Sequence, residues 1–404
     1  MSSSDLSLNA WPAVEYETVP WEPNASLPIS RTAARRNRGP YSAAIVPLIS
    51  KLEVALPPEL SALVDDATNE VARFDAELGR EIAPFSSVLL RSESTASSQI
   101  ENLTASARAI AEAELQPLGS NNASLIVANT RAMTAAVELA HRIGAESILQ
   151  MHEALLSPSR PDIAGKWRDQ AVWIGGTRYG PHEADFVPPR SERVPHAIDD
   201  LVTFIDRDDV PALAHSAVAH AQFETIHPFP DGNGRTGRAL LQAQLRNKRL
   251  TRNVTVPVSA GLLTNTDAYF DALDQYRRGD PLPIIDQITR AAFVAIENGG
   301  QLVEELRAIR GEWDEEIKAR RGTIAWRIAD LLLRHPVVNT AFIATELGIA
   351  VPNVYRALGP LVDAGVLVES TGKRRDQVWR APEVLRALDQ SAARAGRRAR
   401  PQRQ

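Results

Sequence analysis

The stretch from Phe223 to Leu240 constrains the fold more than any other part of the chain. A run with helical spacing (Leu213, Ala217, Val218, Ala221, Phe223) leads into His227-Pro-Phe-Pro-Asp231-Gly-Asn-Gly234, and a second helix-forming run, RTGRALLQAQLRNKRL, follows at once. Pro228 and Pro230 lack a backbone N–H, so the first helix cannot continue through them. The segment must therefore read helix, tight loop, helix, with His227 at the mouth of the loop. Gly232 to Gly237 spells G-x-G-x-x-G, but no strand precedes it. A dinucleotide-binding turn needs strand, turn and helix within a βαβ unit.

The rest of the sequence reads mostly as helix. Leu60, Leu63, Val64, Ala67, Val71, Phe74 and Leu78 recur at three- and four-residue spacing, and the same period returns over 124–145, 146–156, 194–207, 211–226, 235–249, 267–278 and 284–309. The strand-like interruption is 170–189, QAVWIGGTRYGPHEADFVPP, whose glycine pair, prolines and aromatics predict a hairpin or flap between helices. With 404 residues the chain has room for two or three domains. The predicted organisation is an extended arm over 1–38, an N-terminal helical region over 39–120, a core over 121–297, a connecting helix over 298–322, a C-terminal module over 323–390 and a basic tail over 391–404. Trp11 and Trp21 in the arm suggest that it docks on something.

Composition removes whole classes of chemistry. There are no cysteines, so disulfides, zinc–thiolate sites, iron–sulfur clusters and cysteine nucleophiles are excluded. No run of 18 apolar residues predicts a membrane span, and the N-terminus lacks a basic segment followed by an apolar one, so no secretory leader is expected and the predicted place is the cytoplasm. Net charge is −5 but unevenly spread: residues 323–404 hold 13 Lys/Arg against 7 Asp/Glu, the remainder 32 against 43. A basic end on an acidic body points to an anionic partner for that end.

The loop carries the chemistry. His227 is the side chain suited to general-base work near neutral pH. Asp231 offers a hard oxygen to Mg²⁺ carrying substrate phosphates. Gly232, Asn233 and Gly234 let backbone N–H groups approach an anion, and the helix that follows adds its N-terminal dipole. Arg235 and Arg238 share one helix face and can both grip phosphate oxygens. A base, a metal ligand, an anion nest and two guanidinium groups in 12 residues describe phosphoryl or nucleotidyl transfer. His215 and His220, five apart, share no helix face; they read as packing residues.

His227-Pro-Phe-Pro-Asp231-Gly-Asn-Gly-Arg235-Thr-Gly-Arg238 matches in full H-x-F-x-[DE]-G-N-G-R-x-x-R, the signature of the Fic (filamentation induced by cAMP) family. Trp173-Ile174-Gly175-Gly176 followed by Phe186-Val187-Pro188-Pro189 resembles that family's target-docking flap, and Gly165-Lys166-Trp167-Arg168 its pre-flap segment, to which we assign no chemical role. Ser97-Ser98-Gln99-Ile100-Glu101-Asn102 resembles its inhibitory pattern, [ST]-x-x-x-E-[GN]. The likeness covers roughly residues 40 to 297. It implies a mainly α fold, a helical Fic core with a small β-hairpin flap, and protein adenylyltransferase activity: AMP moves from ATP to a Tyr, Ser or Thr hydroxyl of a target protein, and pyrophosphate leaves.

In that reading His227 takes the proton of the attacking hydroxyl and Asp231 holds Mg²⁺. The amides of Gly232, Asn233 and Gly234 cradle phosphate, and Arg235 and Arg238 bind the β- and γ-phosphates. Gly234 stands where phosphate-transferring relatives carry lysine, which favours AMP transfer. Tyr269, in Asn265–Leu273, is the candidate for the adenine pocket, with a core aromatic as the alternative. Glu101, on a short helix with Ser97 and Asn102, would inhibit by pairing with Arg238; the same glutamate could direct a water in the reverse reaction, AMP removal. Self-modification and a homodimer are compatible partners.

Residues 323–334, 340–347 and 352–364 predict three helices, and 366–369 with 377–380 a two-stranded wing. This resembles a winged helix-turn-helix. Its basic tip, Lys373-Arg374-Arg375, the tail arginines Arg394, Arg397, Arg398, Arg400 and Arg403, and Asn353, Tyr355 and Arg356 on the third helix suit DNA, although Pro360 lies inside that helix. The alternatives to an adenylyltransferase are a DNA-binding regulator using the Fic core as a nucleotide sensor, and transfer from another nucleotide such as UTP.

Overall fold

Proline and glycine punctuation divides the chain into helices much as the periodicity predicts. A computed structural model describes residues 11–21, 30–79, 84–116, 121–370 and 377–396. The first half holds α1 (Arg31–Arg36), α2 (Pro58–Leu78), α3 (Pro84–Ile100), α4 (Ala107–Leu115), α5 (Asn122–Leu139), α6 (Ala145–Leu156) and α7 (Val194–Ile205). Then come α8 (Ala212–Ile226), α9 (Asn233–Asn247), α10 (Val258–Leu263), α11 (Thr266–Arg277) and α12 (Leu282–Glu316). The C-terminal end holds α13 (Ile324–Arg334), α14 (Thr340–Leu347), α15 (Val351–Asp363) and α16 (Pro382–Ala395). The strands are β1 (Glu15–Val19), β2 (Tyr41–Ile45), β3 (Val337–Asn339), β4 (Val368–Glu369) and β5 (Val378–Arg380). The mainly α class expected from the sequence is the one observed. No described helix is long and apolar enough to cross a membrane.

Two compact units result, each assembled from separated stretches. One comprises Met1–Asp66, Ala135–Lys248 and Asp267–Thr289; the other comprises Ala67–Thr134, Arg249–Thr266 and Arg290–Gln404.

The first unit is built around α8. Every side chain from Leu213 to Ile226 is buried, as expected of a helix enclosed on all sides. Two of its polar side chains find partners within the unit. His215 Nε2 bonds Phe204 O at 2.8 Å, and Gln222 donates to Pro47 O at 2.8 Å and accepts from the Tyr276 hydroxyl at 2.9 Å. α7 and α9 pack on α8, and α6 packs on α9. The predicted extended arm is partly regular here: β1 pairs antiparallel with β2, Glu15 opposite Ile45. Trp11 packs on Tyr276 at 5.9 Å, and Trp21 lies edge-on to Tyr41 and Trp173 at 5.8 and 5.7 Å. Both tryptophans dock, as their presence suggested. The flap is less regular than a hairpin. Ile174 and Phe186 form one isolated bridge and Thr177 and Gly180 another, with a single 3₁₀ turn over Pro181–Glu183 between the strands of the expected hairpin. Gly175 and Gly176 both have positive φ, 74° and 67°, so the chain turns too sharply for a ladder to propagate.

In the second unit α3 is the hub, packed by α10, α13 and α16. Its buried Glu93 accepts from the Ser259 backbone N–H at 2.8 Å and hydroxyl at 2.6 Å. Arg91 forks onto Glu114 at 2.8 and 2.9 Å and donates to Arg334 O at 2.6 Å. The small sheet has the order β3-β5-β4, all antiparallel. β3 is a strand the sequence reading left out. α15 continues past Pro360 to Asp363, and α12 runs unbroken from the end of the expected core into the expected connector. Lys373, Arg374 and Arg375 at the wing tip and Arg397, Arg398, Arg400 and Arg403 of the tail lie outside the described residues.

Candidate active site

α8 ends at His227. Its N–H closes the last helical turn onto Phe223 O at 2.9 Å, and its own φ and ψ are 49° and 62°. A left-handed conformation is uncommon for a residue with a side chain and costs about 1 kcal/mol. Pro228 follows and forbids further helix. The imidazole is half-buried at the loop's mouth.

Asn233 closes the loop. Its side-chain carbonyl accepts from Phe229 N–H and its amide donates to Phe229 O, both at 2.8 Å. The Phe229 ring is sandwiched: His152 stacks on it at 3.7 Å, nearly parallel, and Trp167 at 4.9 Å. α9 then starts at Asn233, after Gly232 in the left-handed region with φ 78°. A Cβ at Gly232 would also press on Leu155 at 3.0 Å. Gly232 brings no side chain to cap α9, so the first-turn N–H groups, which have no acceptor within the helix, are the kind of donors that can meet an anion. Gly237 allows the close approach of α9 to α8, because a Cβ there would meet Phe223 at 2.9 Å.

Arg235 and Arg238 lie on α9, 7% and 1% exposed. The Asp231 carboxylate is half-exposed and 3.5 Å from Arg235 Nη2. Among the described residues no cluster of three His, Asp or Glu side chains is arranged to hold a metal ion. A single outward carboxylate beside a phosphate nest suits magnesium, which takes one or two carboxylates and fills its shell with substrate phosphates and water. Asp231 is the residue that would hold it.

Two residues outside the motif support this loop. His152, fully buried on α6, accepts from Gly165 N–H at Nδ1 (3.0 Å) and lies 3.0 Å from Asp231 O through Nε2. Since the Gly165 amide can only donate, Nδ1 is unprotonated and Nε2 carries the hydrogen given to Asp231. The ring is thus neutral, and burial holds its pKa down at about 4. Arg168, 3% exposed, donates from its backbone to Pro228 O at 3.0 Å and from Nε to His227 O at 2.8 Å. Neither spacing nor residue type singles out His152. Arg168 sits in the pre-flap segment that carried no assigned role.

Tyr269 is on α11 and 1% exposed; its hydroxyl bonds His220 at 2.7 Å and its ring stacks on that imidazole at 5.9 Å. The candidate adenine ring is buried against His220. Burial, and next the charge of Arg238, push the His220 pKa down to about 3. In the flap, Trp173 donates to Thr177 O at 2.8 Å, and Ile174 exchanges backbone hydrogen bonds with Phe186, while Gly175 and Gly176 are exposed.

The inhibitory pattern lies in the other unit. Ser97 is buried on α3, and Glu101 and Asn102 are exposed in the turn that ends it. Glu101 thus stands past the end of a 17-residue helix rather than on a short one. Asn102 has φ 59°, which explains why the pattern takes Gly or Asn: those residues tolerate the left-handed turn.

Residues 142–245 match the Fic/DOC family. Protein adenylyltransferase fic-1 of Caenorhabditis briggsae is 29% identical over 177 residues, 43% of this chain and 32% of that protein. Protein adenylyltransferase Fic of Nematostella vectensis is 29% identical over 164 residues, 40% of this chain and 35% of that protein. The chain thus aligns with about a third of the length of these curated relatives. A Fic family protein from Desulfovibrio desulfuricans G20 superposes with TM-score 0.51 at 21% identity, over 81% of this chain and 97% of that one, a likeness of fold. This chain therefore carries a Fic domain at residues 142–245, set in a helical fold shared with a Fic family protein.

Proposed function

We propose that the chain is a protein adenylyltransferase that moves AMP from ATP to a hydroxyl of a target protein. The observation that carries this reading is the closed loop of His227 to Asn233. One short turn holds a half-buried imidazole, an outward carboxylate and the uncapped start of α9 with Arg235 and Arg238 on it. A target hydroxyl attacks the α-phosphorus of ATP, and His227 accepts its proton. The bond from the α-phosphorus to the bridging oxygen breaks, and pyrophosphate leaves with that oxygen. The N–H groups opening α9 stabilise the charge that grows on the phosphate oxygens; such a donor is worth about 3–4 kcal/mol in a pre-organised site. Arg235 and Arg238 hold the β- and γ-phosphates. Magnesium, held by Asp231, would supply charge neutralisation on the phosphates. The flap, with Ile174 bridged to Phe186, presents the target segment.

Glu101 is the inhibitory group in this reading. The left-handed turn at Asn102 follows the exposed Glu101 carboxylate, and the match of 97–102 to the family's inhibitory pattern supports this role. The helices α13 to α15 with their sheet support a winged-helix reading, and the exposed Tyr355 and Arg356 on α15 support DNA as a partner. The cytoplasm, where ATP is plentiful, fits this reading. The deciding test is label from α-³²P-ATP against γ-³²P-ATP with the Glu101→Gly protein and Mg²⁺. Label from the α position alone is expected; label from the γ position alone means phosphate transfer, and neither means another nucleotide or a sensor.

A further inference from the structure

Arg168 is a buried cation held by carbonyl oxygens alone. Nε donates to His227 O at 2.8 Å, Nη1 to Gln170 O at 3.2 Å, and Nη2 to Ile226 O at 3.4 Å and to Pro189 O, while the backbone N–H reaches Pro228 O at 3.0 Å. Among the described residues it has no carboxylate partner at ion-pair distance. Taking a charge out of water costs several kcal/mol per ion, and backbone oxygens return part of that. Its five carbonyl acceptors fall into two groups. Gln170 and Pro189 begin and end the stretch that forms the flap. Ile226, His227 and Pro228 are the turn that carries the base. The fork of a guanidinium spans both groups at once, whereas the three donors of a lysine radiate from a single atom. The turn also needs holding, since His227 sits in a left-handed conformation that an unrestrained chain would leave.

We propose that Arg168 is a positioning residue: by joining both ends of the flap to the His227 turn through one guanidinium, it sets where a hydroxyl carried on the flap meets the base. This rests on the adenylyltransferase reading above. Misplacing reacting groups by about 1 Å costs on the order of 100-fold in rate, whereas the acceptors of the Arg168 guanidinium lie on the flap ends and the His227 turn rather than at the start of α9, so the grip on the nucleotide is kept. The loss therefore falls on kcat.

The test uses the full chain in the Glu101→Gly background, with Arg168→Lys and Arg168→Ala. For Arg168→Lys we expect kcat for AMP transfer at least tenfold lower, with the Kd for ATP within twofold of the parent. Arg168→Ala lies lower still. Hydrogen exchange gives a readout free of activity: the amides of Ile174 and Phe186 in the flap and of His227 in the turn lose protection together, while those of α8 keep theirs. Retention of more than half the parent kcat by Arg168→Lys overturns the proposal. So does a fall in ATP affinity in step with kcat, or loosening of the flap without the turn. Should the parent itself transfer no AMP, the functional reading fails, and the paired loss of protection still decides whether Arg168 couples flap and turn.

Discussion

Asn233 and Phe229 exchange two hydrogen bonds of 2.8 Å, the side-chain amide of one against the backbone N–H and C=O of the other. This pair makes residues 229–233 a closed ring of five residues rather than a flexible connection. Asn233→Asp keeps one acceptor and loses the donor, leaving Phe229 O buried against a carboxylate. We expect a loss of about 1–3 kcal/mol in stability and at least tenfold weaker ATP binding, because the new charge also faces the anion nest. Urea unfolding and calorimetric titration check both; unchanged ATP affinity would show that the ring does not shape the nest.

The strained turn at His227 separates function from stability. His227→Ala should abolish transfer and leave ATP binding within a few-fold. His227→Gly should be equally inactive yet about 1 kcal/mol more stable than His227→Ala, since glycine enters the left-handed region freely. Equal melting temperatures for the two variants would mean that the turn relaxes once the imidazole is gone.

Three buried histidines make the fold sensitive to acid. Burial holds the pKa of His152 and His215 at about 4 and that of His220 at about 3, below the ordinary 6.5. Above pH 6.5 all three are neutral in folded and unfolded chains, and their full contribution is present. As pH falls from 6.5 toward 4 the unfolded chain takes up protons that the native state refuses, so stability drops, by at most about 1.4 kcal/mol per histidine per pH unit. Urea midpoints at pH 7, 6 and 5 should decline, and His215→Gln should flatten the slope. A midpoint constant across that range would contradict the neutral assignments.

The left-handed Asn102 makes the turn after α3 a test of inhibition. Asn102→Gly keeps the conformation and should keep transfer low. Asn102→Val is strained at φ 59°, by about 1–2 kcal/mol, and should shift Glu101 and raise AMP incorporation toward the Glu101→Gly level. Identical incorporation by the Gly and Val variants would argue against a role for this turn.

The sequence was enough to place the loop and its helices. Two prolines, three nearby glycines and the apolar spacing on either side are local constraints, and local constraints survive in any tertiary setting. The same holds for the helical class and for the ends of α8 and α14, whereas α9 begins and ends two residues earlier than its spacing predicts. It could not show that Tyr269 faces His220 instead of solvent, that Trp21 lies against Trp173, or that 337–339 pairs with a strand forty residues later. Each depends on which faces meet, and periodicity is silent on that. The support of the candidate site belongs to the same class. His152 reaches Asp231 across 79 residues and Arg168 reaches His227 across 59. Both bonds end on backbone oxygens, which every residue carries alike. A side chain that recognises a carbonyl leaves no mark on its partner's identity, so the chemistry of the loop is written in its letters while the scaffold that aims it exists only once the chain has folded.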